Sequence, residues 1–346
     1  MPTMRPELFS ELLTERKIRN LVVVVLVWCA TVCCPLILVA QQAGTQPVTK
    51  LNANPDAAEI ISSDIDNFWK AYDAARPENS LYVFRDQYLR KGSKGLQEFT
   101  RYRIGSSCEL VDAMEANPRY YASIREPTLK AHTFKEPIRD AFRKLKSLYE
   151  GALFPDVYLM IGRMNSGGTY TENALLIGVE MYGRTKETPL EELRDWHKQV
   201  IKPVDEIPHI VAHELIHYQQ KYPKAERTLL SASIGEGSAD FIAELISGNH
   251  INQHLHAYGN PKEGELWREF KQSMLANDTT LWLYNGGKVK DRPADLGYYI
   301  GYKIAESYYR QSPDKKQAIK DILEIKDFNQ FLKSSRYEEK FAVERK

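Results

Sequence analysis

Cysteine is scarce in this chain, and its placement forbids a disulfide framework. Of four cysteines, Cys29, Cys33 and Cys34 lie inside one apolar run, which leaves Cys108 alone in the remainder. A lone thiol closes no internal loop, so the fold is not a stapled scaffold. Net charge is also nearly absent: 47 basic against 46 acidic side chains give +1, with the signs interspersed. No basic block with interleaved aromatics occurs, so nothing supports nucleic-acid binding. Internal repeats and low-complexity tracts are missing as well. Histidines number only eight, which gives weight to two of them set four residues apart.

There is one long hydrophobic run. Leu21 to Ala40 carries no charge and follows Met1–Asn20, a polar segment that ends with Arg16, Lys17 and Arg19. Its length suits a membrane-crossing helix and exceeds the usual apolar core of a signal peptide. The basic flank fits a cytoplasmic N-terminus with the remainder exported. Residues 21–40 therefore read as a signal peptide or transmembrane anchor, and the rest as periplasmic or extracellular and membrane-tethered. Ala40 suits a signal peptidase, whereas Leu38 does not, and the residues before Cys33 fit lipid modification poorly.

Residues 41–55, rich in Gln, Asn, Pro, Thr and Ala, read as a linker. Residues 56–150 are helical in pattern, with helices expected over Asp56–Ala75, Leu81–Tyr88, Gly95–Met114, Pro118–Ile124 and Pro137–Tyr149. No chemistry is assigned to this part beyond scaffolding the rest or walling its cleft. The texture changes at Pro155. Val157–Ile161 and Ala174–Met181 read as strands around the turn Asn165–Gly168, with a helix over Pro189–Gln199. The expected class is α+β, mostly helical, with a small sheet ahead of a functional helix in residues 151–346.

That helix carries His213-Glu214-Leu215-Ile216-His217. Residues four apart share a helix face, so His213 and His217 can present two imidazoles to one zinc ion, with Glu214 beside them as general base. Asp205 is placed to cap the helix, Pro208 falls in its first turn, and Tyr222-Pro223 closes it. Ile207, Val211, Leu215, Tyr218 and Tyr222 form an apolar stripe at helical spacing. A catalytic zinc needs a third protein ligand, for which Glu236 is the candidate. Asp240, one turn on, is the candidate carboxylate to accept the free N–H of a ligand imidazole. Glu236 has a competing explanation, because Ser233-Ile234-Gly235-Glu236 also fits a capping box opening a helix that ends near Gly248. Gly235 and Gly237 point to a close approach there, with the zinc-bearing helix as the expected neighbour.

HELIHYQQ, then GEGSADFIAE, then GYYIGYKIAESYY resembles the gluzincin class of zinc metallopeptidases. The wording is most similar to predicted zinc-dependent proteases of unknown function, a group related to gliding-motility lipoproteins. The resemblance spans roughly Pro155 to Arg310 and is specific at the two zinc segments. It implies a zincin-like fold, His213, His217 and Glu236 as ligands, Glu214 as base, and Asp240 behind a ligand histidine. A peptide or protein is the implied substrate. Gly167 to Val179 would bind it by strand addition, with Gly167, Gly168 and Asn173 as contacts, while an ordinary hairpin packed on the helices explains the segment equally well. Thr171-Glu172-Asn173 faintly matches the Met-Glu-Asn of aminopeptidases that clamp a free amino terminus, without its methionine.

Further on, Gly297 and Gly301 leave a flat helix face for close packing, with Tyr298 and Tyr302 beside it. Either phenol is a candidate oxyanion donor, and an aromatic packing stripe explains both equally well. A charged tail helix is expected over Lys315–Lys333. Two functions from different classes result: a zinc peptidase, or a non-catalytic zinc-containing, membrane-anchored binding or assembly protein of an exported complex.

Overall fold

The structure, a computed structural model, describes residues 52–342 except Ala225, Glu226 and Gly287. The basic segment 1–20, the apolar run 21–40 with its three cysteines, and linker residues 41–51 lie outside the described residues. Among the described residues, no helix is long and apolar enough to cross a membrane.

The chain is mostly helical around a small sheet. Strand β1 (Ile60–Ile61) precedes helix α1 (Ser63–Ala74), and helix α2 (Lys135–Leu148) leads into strand β2 (Asp156–Met160). Strands β3 (Thr169–Tyr170) and β4 (Ala174–Gly178) follow, in the spatial order β1-β2-β4-β3. β1, β2 and β4 are parallel, and only the edge strand β3 runs antiparallel. The expected strands at Val157 and Ala174 are thus neighbours but not a hairpin. The intervening chain crosses over and returns β3 to the outer edge of β4. β4 is buried along its whole length, as an interior parallel strand demands.

Helices α3 (Ile207–Gln219), α4 (Leu229–Ser247) and α5 (Leu296–Gln311) form the other layer. α2 packs against α3 and α4 through Ile138, Ala141, Phe142 and Leu145, buried at helical spacing. One buried apolar cluster runs from Ala58 to Tyr337 and joins the early helices to the later ones.

Several expected elements are altered. Ile60-Ile61 pairs as a strand, because two β-branched residues beside β2 gain a ladder there, and the helix starts only at Ser63. The expected helix Gly95–Met114 breaks at Gly105, whose φ of 84° ends a π-helical turn, Thr100–Ile104. Pro189–Gln199 is helical only over Asp195–Val200. The tail forms two helices, Lys315–Leu323 and Phe328–Ser335, both with buried apolar faces.

The α4–α5 contact is set by glycine. A Cβ on Gly237 would collide with the backbone of Tyr302 and Gly301, and one on Gly301 with the Ser233 carbonyl. Gly237 therefore serves close approach to α5, not to α3 as its position suggested. Gly235 meets only Tyr222 and has no such constraint.

Candidate metal centre

The start of α4 decides what Glu236 is free to do. Thr228 caps this helix in a reciprocal pair with Ser231, and Gly248 closes it with φ 88°. Glu236 thus lies two turns inside the helix, and the capping box expected at Ser233 does not form. α3 is entered through a 3-10 turn, Val204–Glu206, with Pro208 in its first turn. Asp205 does not cap it; its carboxylate pairs with Lys130 Nζ at 2.6 Å. α3 is buried almost all round, which fixes its rotation and therefore the aim of its histidines.

His213 and His217 on α3 converge with Glu236 on α4. The two Nε2 atoms are 3.0 Å apart, Glu236 Oε2 lies 3.0 Å from His217 Nε2, and 3.7 Å separates it from His213 Nε2. Tetrahedral zinc with ligand bonds of about 2.0–2.2 Å holds its ligand atoms about 3.3 Å from one another. The triangle matches that spacing.

The far side of each imidazole fixes which nitrogen faces the triangle. His213 Nδ1 donates to Asp240 Oδ1 at 2.8 Å, and Asp240 Oδ2 accepts from Asn252 Nδ2 at 2.7 Å. His217 Nδ1 donates to Gln220 Oε1 at 2.9 Å, while Gln220 Nε2 donates to the Gly235 carbonyl at 2.7 Å. Both Nδ1 atoms carry the proton, so both Nε2 lone pairs point inward at each other. Two facing lone pairs repel unless a proton or a cation lies between them, and the donor set of two imidazoles and one carboxylate suits zinc. Asp240 occupies the place expected from the sequence. Gln220 was missed, although its spacing from His217 is visible.

With no ion between them, a proton takes that place. Burial opposes charge on His213, but its hydrogen bonds to Asp240 and Glu236 prevail and raise it to about 10. Burial likewise opposes charge on Glu236, yet His217 and His213 hold its carboxyl well below the usual range. Glu214 is raised by burial, with the two histidines and Arg103 pulling the other way. Its carboxylate accepts no hydrogen bond from any described residue and faces a cleft of about 850 Å³. A Cβ on Gly168 would lie 2.6 Å from Glu214 Oε1, so glycine lets the backbone just before β3 approach the base this closely.

The remaining expected site residues separate. Tyr298 lines the cleft with its ring stacked on His213, centroids 6.2 Å apart. Tyr302 does not line it; its hydroxyl donates to Glu244 Oε2 at 2.6 Å, among Phe241, His250 and His256. Gly168 lines the cleft, Gly167 lies against the Tyr182 hydroxyl, and Asn173 is exposed outside it. Two tyrosines were not anticipated. Tyr170 on β3 stacks on His217 at 6.2 Å, and Tyr284, with φ 54°, donates its hydroxyl to Glu236 Oε1 at 2.6 Å. Asn285-Gly286 after Tyr284 has the composition of a turn, but nothing in the sequence places that turn over Glu236.

A family model described as Gliding motility protein GldB matches residues 51–339. No curated protein and no solved structure matches the chain.

Proposed function

We propose, from the premise that this chain belongs to the gliding motility protein GldB family of lipoproteins, that it is a zinc-dependent peptidase of zincin-like fold. The family's lipoprotein character supports an exported, membrane-attached protein, with residues 21–40 as the attachment. One observation carries the catalytic reading. Glu214 accepts no hydrogen bond from any described residue and opens its carboxylate to the cleft, set beside three side chains spaced as zinc ligands. A purely structural metal site has no use for such a group.

His213, His217 and Glu236 would hold the ion, with Asp240 and Gln220 keeping the imidazoles in the ligating tautomer. Zinc bound there supplies Lewis acidity and makes water more acidic. Glu214 takes the proton of the attacking water and returns it to the leaving amine; its burial-raised pKa brings it closer to the pH at which it must do both. The substrate backbone is read along the free edge of β3, the last strand of the sheet. Burial holds the Tyr298 phenol well above its ordinary value, so it keeps its proton and is the better-placed oxyanion donor than Tyr302.

A second reading, a non-catalytic zinc-stabilised component of an exported assembly, draws on the family's link with gliding motility. It leaves the unpartnered Glu214 without a purpose. Glu214→Gln separates the two: zinc content should be unchanged while peptide hydrolysis falls about 10²–10⁴-fold. Hydrolysis at the wild-type rate in that variant would end the peptidase mechanism.

A further inference from the structure

The cleft contains more positive charge than its own carboxylates account for. Among the described residues, Arg103, Lys224 and Arg227 line it, against Glu214 and Glu236. Among the described residues, none of the three cations forms an ion pair. By contrast, Arg143, Arg292 and Arg310 elsewhere each hold a carboxylate. The two glutamates face the paired histidines, and a dication there would leave the cleft more positive still.

Arg103 is also held in place. It sits in the π-helical turn Thr100–Ile104, a geometry frequent at functional sites. Its carbonyl accepts from Arg163 Nε at 2.9 Å and Asn165 Nδ2 at 2.8 Å. Its Nη2 donates to Thr169 Oγ1 at 3.0 Å, while its Nε is buried with no partner. That enclosed Nε is not open to a ligand; Nη1, which makes no hydrogen bond among the described residues and is not enclosed, is the donor left for a carboxylate. Arg227 acts electrostatically on both Tyr170 and Tyr284, the two tyrosines beside His217 and Glu236. Among the described residues no further carboxylate lines the cleft to clamp a substrate's free α-ammonium, and Glu172 lies outside it with its carbonyl taken by the Tyr218 hydroxyl.

We propose that the cleft selects peptides bearing carboxylates, which Arg103 and Arg227 bind while Lys224 adds to the attracting field. That the ligand is a peptide rests on the peptidase reading above. The carboxylate could belong to an acidic side chain or to the chain end, and the test separates them. Zinc-loaded whole chain carrying Glu214→Gln, which binds without turnover, is titrated with short fluorescein-labelled peptides. One is acetylated and amidated with Glu in its central positions. A second has Gln in those positions, and a third is the Gln peptide with a free C-terminal carboxylate.

The Glu peptide, the free-carboxylate peptide or both should bind at least about tenfold tighter than the neutral one, with the preference fading as salt rises. Arg103→Gln and Arg227→Gln should each erode that preference, and Arg103→Lys should retain part of it. Equal binding of all three peptides overturns the proposal, as does a preference untouched by either arginine substitution. Wild-type protein separates the failures. Preferential binding of the acidic peptide without cleavage of any peptide removes the peptidase reading and leaves the recognition. Cleavage of Glu and Gln peptides with equal kcat/KM does the reverse.

Discussion

Gln220 holds His217 from behind. Its Oε1 accepts from His217 Nδ1 at 2.9 Å, and its Nε2 is committed to the Gly235 carbonyl and to Ser238 Oγ. The amide therefore has one orientation, and the imidazole one tautomer. Gln220 also ties α3 to α4, the two helices that carry the proposed metal ligands.

Gln220→Ala should weaken zinc about 10–100-fold without unfolding the protein, as loss of a partner behind a ligand histidine does. Competition against a chromophoric chelator measures this. Gln220→Glu, which still accepts from Nδ1, should restore most of the affinity.

The two tyrosines of α5 should behave differently. Tyr298 stacks on His213 in the cleft, whereas the Tyr302 hydroxyl is buried on Glu244. Tyr298→Phe should lower kcat about 10²-fold with little change in thermal stability. Tyr302→Phe should leave kcat unchanged and cost about 1 kcal/mol of stability, since it strips the half-buried Glu244 of its donor.

Outside the cleft, Glu180 should give the fold a pH dependence. It is fully buried, accepts from the Gly162 and Met164 N–H groups, and is raised by burial from 4.5 to about 7. A carboxyl whose folded pKa exceeds its unfolded one contributes stability that is complete below the unfolded pKa. That contribution is lost as pH rises through the folded value. Wild type should therefore lose about 3 kcal/mol between pH 4.5 and a little above 7 from this group. Glu180→Gln should be flatter over that window in denaturant melts, whatever its absolute stability. An unchanged slope would show that Glu180 is not the titrating group.

Local patterns in the sequence carried the proposed metal site, because His213 and His217 lie one helical turn apart, as do Glu236 and Asp240, and the resemblance linked the two pairs. The small sheet ahead of α3 and the buried faces of α1 and α2 were legible for the same reason. What was hidden depends on contacts distant in sequence. Gly237 signalled close packing, but its partner, the α5 backbone, lies some sixty residues away. Tyr284 reaches Glu236 from an irregular loop that has no periodicity to read. Arg103 enters the cleft only because a π-helical turn ends at Gly105, where the sequence reads as continuous helix. The parallel pairing of β2 and β4 was equally invisible, since both strands look alike in a hairpin or a crossover.

Metal content tests the central claim most directly. The purified whole chain should carry about one zinc, as should Glu214→Gln, while His213→Ala and His217→Ala should carry none and Glu236→Ala should lose or weaken it. Wild-type protein that takes up no zinc even after reconstitution would contradict the account, because the His213–His217–Glu236 triangle would then be a hydrogen-bonded cluster and nothing more.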